Sequence, residues 1–169
     1  MKELFFEFLK NPQEIGSICP SSRKLAKSLA DTVKLLPALD VVQVGAGTGV
    51  ITEFLPKSGL TVVEINELLA ERLRNKISDV QILTGCGVEH LSDISREFGC
   101  VITIPLINNP MAPKFINVLQ TLRQRKILQW CVIYSYGMTS PLKEVGFEFS
   151  KKSRIVWSNL PPARVWSYW

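Results

Sequence analysis

The sequence predicts an α/β fold, a mainly parallel sheet with helices on both faces and an antiparallel final strand. Three observations predict it. Short apolar segments at residues 39–44, 60–65, 80–83, 100–104 and 127–136 alternate with longer amphipathic ones. Those short segments are almost continuously apolar, as strands buried on both faces are. After Tyr136 the rhythm changes: residues 147–157 and 164–169 read as strands separated only by Ser158-Asn159-Leu160-Pro161-Pro162-Ala163. That connection is too short for a crossover helix, so the two strands should pair antiparallel.

The elements follow in order. Met1, Leu4, Phe5, Phe8 and Leu9 share one face at helical spacing, opposite Lys2, Glu3, Glu7 and Lys10, which predicts a helix over 1–10 that Asn11-Pro12 ends. Ser21 or Ser22 can cap a second helix running to about Ala30. Beyond Pro37 the pattern predicts a strand over 39–44, a helix over 48–55 and a strand over 60–65. Asn66 caps a helix to about Ile77, and strands over 80–83 and 100–104 precede a helix over 113–125 and a long strand over 127–136. No repeat, linker or low-complexity tract interrupts the chain, so one domain over 1–169 is expected.

Composition narrows the function classes. The 169 residues carry a formal net charge of +5, with a pI near 9.1, which attracts acidic partners without choosing among them. The basic residues are dispersed, with no block long enough for a nucleic-acid tail. Cys19, Cys86, Cys100 and Cys131 form no CxxC pair, so free thiols in a reducing cytosol are expected and no metal site. Glu3, Glu7 and Lys10 break the apolar N-terminal residues, so no signal peptide is expected. The longest apolar run, 100–107, is far short of a membrane span.

The chemistry centres on Val44-Gly45-Ala46-Gly47-Thr48-Gly49, which passes from a predicted strand into a predicted helix. Glycines there allow a tight turn and close approach of a ligand to the backbone. The turn lies outside the carboxyl end of a strand, where open α/β sheets bind ligands. Its third glycine comes one position earlier than in the dinucleotide fingerprint. Glu64 ends the next strand 19 residues after Gly45 (64 − 45). A carboxylate there can accept from both hydroxyls of a ribose lying across the strand ends.

With these elements placed, the chain resembles the bacterial phospholipid N-methyltransferases, relatives of the ribosomal RNA adenine dimethyltransferases. Four segments carry the resemblance: Phe5-Phe6-Glu7-Phe8-Leu9-Lys10-Asn11-Pro12, Gly16-Ser17-Ile18-Cys19-Pro20-Ser21-Ser22-Arg23, residues 41–64, and Asn159-Leu160-Pro161-Pro162-Ala163-Arg164-Val165-Trp166. The resemblance implies a class I, Rossmann-like methyltransferase fold with a mixed seven-stranded sheet. It implies S-adenosylmethionine as methyl donor, S-adenosylhomocysteine as product, and phosphatidylethanolamine or its methylated forms as acceptor. It further implies a cytoplasmic protein bound peripherally to the anionic inner membrane face, no nucleic-acid partner, and residues 1–31 as helices that contact the membrane and cover the cofactor. Carried over by position, Gly45, Ala46, Gly47, Thr48 and Gly49 would face the methionine end, Glu64 the ribose and Ile65 the adenine. Cys86, Gly87 and Ile104 would complete the cofactor site, and Pro20, Ser21 and Ser22 its cover. Tyr136 and Arg164 would position the acceptor, through cation–π contact and a grip on phosphate. Tyr134, Trp166 and Tyr168 are further cation–π candidates or else core aromatics, and His90 is more readily a packed or surface residue than a base.

Three positions depart from the family pattern. Gln43 stands where an acidic residue is usual, removing a charge expected to face the cofactor's ammonium. Cys86 stands where an aspartate accepts from adenine, and a thiol accepts weakly. Thr103-Ile104-Pro105-Leu106 replaces the Asn-x-Pro-aromatic loop with which adenine dimethyltransferases hold a base, so RNA methylation is not expected. A methyltransferase acting on another amine or a soluble small molecule, and a scaffold that has lost catalysis, are the alternatives.

Overall fold

The computed structural model describes residues 21–106, 109–136, 139–153, 155–159 and 161–169. The helix expected over 1–10, and Pro20, lie outside the described residues. Five strands run parallel: β1 (Asp40–Val44), β2 (Leu60–Glu64), β3 (Gln81–Thr84), β4 (Phe98–Ile102) and β5 (Leu128–Ser135). β6 (Ser150–Lys152) and β7 (Arg164–Tyr168) pair antiparallel, and β7 runs antiparallel to β5. The strand order is β3-β2-β1-β4-β5-β7-β6; the seven strands and the antiparallel end match the expectation, and the order itself is new. Because β2 and β4 lie on opposite sides of β1, the strand order reverses there. The carboxyl ends of β1 and β4 therefore form the switch-point crevice of an open α/β sheet.

Helices α1 (Arg23–Val33), α2 (Glu67–Lys76), α3 (Gly87–Ser92) and α4 (Ala112–Gln124) cover the two faces. On one face, Leu25 and Leu29 of α1 and Ala70 and Leu73 of α2 pack on Val41, Val62 and Val132. On the other, Leu91 of α3 and Phe115, Leu119 and Leu122 of α4 pack on Val44, Ile102 and Ile133. The α1 cap is Ser22, whose Oγ accepts from Leu25 N at 3.2 Å, and Asn66 caps α2 by accepting from Leu69 N at 3.1 Å.

Three elements differ from expectation. The helix expected over 48–55 is a coil ending in one 3₁₀ turn, Thr52–Phe54. Gly49 has a φ of 83°, and Leu55 before Pro56 is extended at ψ 150°, so too few residues remain between them for a helix. The strand expected over 147–157 shortens to β6: the Ser153 N–H still donates to the Val165 carbonyl at 2.8 Å, but the Val165 N–H donates to the Ser153 hydroxyl at 3.0 Å in place of a backbone carbonyl. Among the described residues the next pairing is the Val156–Ala163 bridge. Helix α3 had no counterpart in the sequence reading; it is six residues long and has no side-chain cap.

The sheet also explains Gly99. A Cβ there would lie 2.0 Å from the ring of Trp130, which is buried and anchored by an Nε1–H bond of 3.1 Å to the Pro37 carbonyl. Gly99→Ala is expected to cost about 1–3 kcal/mol by overpacking, read as a lower urea midpoint with an unchanged slope.

Candidate functional site

The crevice floor is the turn after β1. Gly45, Gly47 and Gly49 have φ values of 80°, 57° and 83°, all left-handed. Their surroundings differ. A Cβ on Gly45 would lie 2.1 Å from Ile104 Cγ2, and one on Gly49 would lie 2.4 Å from Leu73 Cδ2. A Cβ on Gly47 would meet no heavy atom within 4 Å. Two of the glycines thus let neighbouring side chains pack against the turn, and Gly47 alone presents bare backbone to open space. Ala46 is buried and Thr48 exposed.

Glu64, at the end of β2, is 5% exposed. Its Oε2 accepts from Gly47 N at 2.7 Å, and its Oε1 accepts from Asn66 N at 3.0 Å. The carboxylate therefore locks the glycine turn to the entry of α2. Each oxygen keeps a second acceptor site, so two vicinal hydroxyls can still be held. Beside it Ile65 and Leu68 are 73% and 67% exposed, an apolar surface at the strand end suited to a flat base. Sequence reasoning had singled out Ile65 but not Leu68, which the first turn of α2 brings alongside.

Cys86 is half-buried, a free thiol at the start of α3 that makes no cap bond. A Cβ on Gly87 would lie 2.3 Å from Val44 Cγ1, so this glycine lets α3 close onto the end of β1. His90 packs over Gly85, its Nε2 2.7 Å from a Cβ built there, on the β3 side of the crevice.

Gln43 departs from its expected role. It is 0% exposed and does not face the crevice. Its Oε1 accepts from Thr52 Oγ1 at 2.8 Å, and its Nε2 donates to Thr103 Oγ1 at 3.3 Å. The sequence offered no sign of these partners, 9 and 60 residues away.

Toward β5 and β7 the strand ends carry aromatic side chains on the α1 face and Arg164 on the opposite face, that of Trp166. Tyr134 and Tyr136 meet edge to face at 5.7 Å, and the Tyr134 hydroxyl donates to the Thr103 carbonyl at 3.4 Å. Arg164 pairs in register with Ser135 at the crevice end of β7, and its Nε is buried without a hydrogen-bond partner among the described residues. Trp166 and Tyr168 are core aromatics instead: they stack at 6.4 Å, and Trp166 Nε1 donates to Ser135 Oγ at 3.0 Å. Tyr168 pairs with Cys131, toward the opposite end of the sheet. Burial raises its hydroxyl pKa above the usual value. At the rim, Ser22 N donates to Asn159 Oδ1 at 2.8 Å, joining two of the family-like segments across 137 residues. Ser21 precedes this clasp, half-buried.

Comparison with known proteins follows from this geometry. No family model matches the chain. The ribosomal RNA small subunit methyltransferase A of Thermotoga petrophila is 34% identical over 113 residues, covering 64% of this chain and 44% of that protein. The chain spans about half the length of the curated relatives it matches. The structure of the 23S rRNA methyltransferase ErmE aligns with a TM-score of 0.64 and 19% identity over 87% of this chain and 67% of that one. Magnesium protoporphyrin IX methyltransferase from Synechocystis, solved with S-adenosylmethionine bound, aligns with a TM-score of 0.63 and 12% identity, over 86% of this chain and 78% of that one.

These relatives overturn one expectation. A phospholipid partner on an anionic membrane, with no nucleic acid, conflicts with relatives that are named for ribosomal RNA. The chain-end segments that suggested a lipid include the structural clasp between Ser22 and Asn159. No described helix is long and apolar enough to cross a membrane. Two structures of the magnesium protoporphyrin IX methyltransferase hold S-adenosylmethionine or S-adenosylhomocysteine, and the chain has the fold of the class I S-adenosylmethionine-dependent methyltransferases.

Proposed function

We propose that this chain, as one domain, binds S-adenosylmethionine across the carboxyl ends of β1, β2 and β4 and transfers its methyl group to an amine of a nucleobase in RNA. One observation carries the cofactor reading: the buried Glu64 carboxylate, tied to the glycine turn and flanked by exposed apolar Ile65 and Leu68. Its free acceptor sites would hold the ribose hydroxyls, and Ile65 and Leu68 would cover the adenine. Cys86 and Gly87 would border its edge, and Gly45 to Gly49 with Ile104 would face the methionine end. Pro20, Ser21 and Ser22 would close over it.

Bound there, S-adenosylmethionine supplies an electrophilic methyl group on a sulfonium. The protein's task is then to align a neutral amine in line and exclude water. Tyr134 and Tyr136 would flank the amine as positive charge develops on it. Arg164, two strand spacings or roughly 10 Å from the end of β4, would grip a phosphate of the acceptor strand. The RNA acceptor follows the relatives. A soluble small-molecule amine is the second reading, favoured because the Thr103 hydroxyl is committed inward and Leu106 offers no ring to stack on a base.

Radiolabelled S-adenosylmethionine incubated with the protein and small-subunit ribosomal RNA transcribed in vitro is expected to label the RNA, and digestion to nucleosides to place the label on an exocyclic amine. Cofactor binding with label only in a small-molecule fraction would overturn the RNA acceptor and leave the second reading.

A further inference from the structure

The polar chain beneath the glycine turn has a defined direction. Thr103 Oγ1 lies 2.9 Å from the Val44 carbonyl oxygen and 2.6 Å from that of Gly45. Neither carbonyl can donate, so the single hydroxyl proton of Thr103 must point toward them. It can do so only if the third neighbour of Oγ1, the Gln43 side chain, donates to it. That sets the amide with its nitrogen toward Thr103 and its oxygen toward the Thr52 hydroxyl, 2.8 Å away. Thr52 is held in turn by the Lys57 ammonium, which donates to its carbonyl. Gln43, Thr52 and Thr103 are all buried. The chain of donation runs from Thr52 through Gln43 and Thr103 to the carbonyl of Gly45, the residue that opens the turn.

We propose that Gln43, Thr52 and Thr103 are positioning residues, a neutral relay that holds the glycine turn in its ligand-binding shape and requires residue 43 to carry a donor proton. The proposal rests on the cofactor reading above. It reverses the meaning of Gln43: the amide is no lost charge, because a carboxylate here would break the relay. An ionised side chain has no proton for Thr103. The hydroxyl proton would turn to the carboxylate, leaving two oxygens 2.6 Å apart at Gly45 with no hydrogen between them. A protonated carboxyl restores the pattern, since its O–H can donate to Thr103 while its C=O accepts from Thr52.

Few charges compete at this position. Helix α1 turns Leu25, Ala26, Leu29, Ala30 and Val33 inward, none of them titratable. β2 and β4 flank Gln43 with Val62 and Val101. Glu64 closes β2, engaged with the turn amide. Among the described residues, the other ionisable groups on the elements packed around it are Lys57, Glu53 paired with Lys76 at 2.5 Å, Arg23 over Phe54, and Tyr134 on the Thr103 carbonyl.

The test is calorimetric titration of S-adenosylhomocysteine into the wild-type chain, Gln43→Glu, Thr103→Val, Thr103→Ser and the Gln43→Glu/Thr103→Val double variant, between pH 5.5 and 8.5. Thermal unfolding of each is recorded in parallel. Gln43→Glu is expected to bind at least tenfold more weakly than wild type at pH 8 and to recover most of that loss as the pH falls and the buried carboxyl protonates. The double variant should lose this pH dependence, because the residue that reads the proton is gone. Thr103→Val should weaken binding about tenfold at every pH, and Thr103→Ser should restore it. Gln43→Glu binding as tightly as wild type at pH 8 would overturn the relay. Should Gln43→Glu fail to fold, equal binding by Thr103→Val and Thr103→Ser would also overturn it. A wild-type chain that binds no S-adenosylhomocysteine sinks the cofactor reading itself, a result separate from either.

Discussion

Glu64→Ala is expected to abolish cofactor binding at any practical concentration while leaving the chain folded. The carboxylate accepts from Gly47 N and Asn66 N, and the proposed reading adds two ribose hydroxyls. Hydrogen bonds to a charged acceptor contribute about 1.5–3 kcal/mol each. Losing two of them weakens binding by roughly 3–6 kcal/mol, or about 10²- to 10⁴-fold. The folded state loses less. Gly47 is only half-buried and Asn66 is exposed, so water can reach both freed amides, and a cost of about 1–2 kcal/mol is expected. Glu64→Gln should fall between. It keeps one carbonyl oxygen, but its NH₂ group must face one of two N–H donors. Calorimetry with S-adenosylhomocysteine and urea unfolding separate the two quantities. Binding by Glu64→Ala within threefold of wild type would remove Glu64 from the site.

The parallel strands, the antiparallel end of the sheet, and the glycine turn with its acid could be read from the sequence because they rest on local patterns. Doubly covered strands are apolar runs, and the acid that ends β2 lies at a set distance from the first glycine. What could not be read depends on pairs of residues far apart in the chain. Gln43 looked like a missing charge because its partner Thr103 is 60 residues away. Ser22 reads as a helix cap and part of the cofactor's cover and Asn159 as the start of a family-like segment, yet they bond each other across 137 residues. The six-residue helix α3 is too short for helical periodicity to register. The expected helix over 48–55 had the right residues in the wrong frame, between a left-handed Gly49 and the extended Leu55 before Pro56. The phospholipid acceptor rests on resemblance at the chain ends, and curated relatives named for ribosomal RNA overturn it.

Gly45→Ala and Gly47→Ala are expected to fail in opposite ways, although both add one methyl group to the same turn. At Gly45 the new Cβ would lie 2.1 Å from Ile104 Cγ2 and 3.3 Å from Ile104 N. Ile104 follows Thr103, so its displacement also pulls on the hydroxyl that holds the Gly45 carbonyl. Left-handed strain of about 1–2 kcal/mol adds to overpacking of about 1–3 kcal/mol. Gly45→Ala should therefore lower stability by roughly 2–5 kcal/mol, the sum of those two costs, with binding lost as a consequence. At Gly47 the φ is 57° and no heavy atom lies within 4 Å of the added Cβ, so only the backbone strain remains. Gly47→Ala should unfold within about 1–2 kcal/mol of wild type, yet lose cofactor affinity by at least about tenfold, or 1.4 kcal/mol. That loss arises because the methyl group stands where the ligand must approach the backbone. A stable Gly47→Ala that binds S-adenosylhomocysteine normally would move the ligand off this turn. An equally stable Gly45→Ala would mean that Ile104 yields easily. The contrast separates two reasons for a glycine that the sequence writes with the same letter: room for a neighbouring side chain at Gly45, and room for a ligand at Gly47.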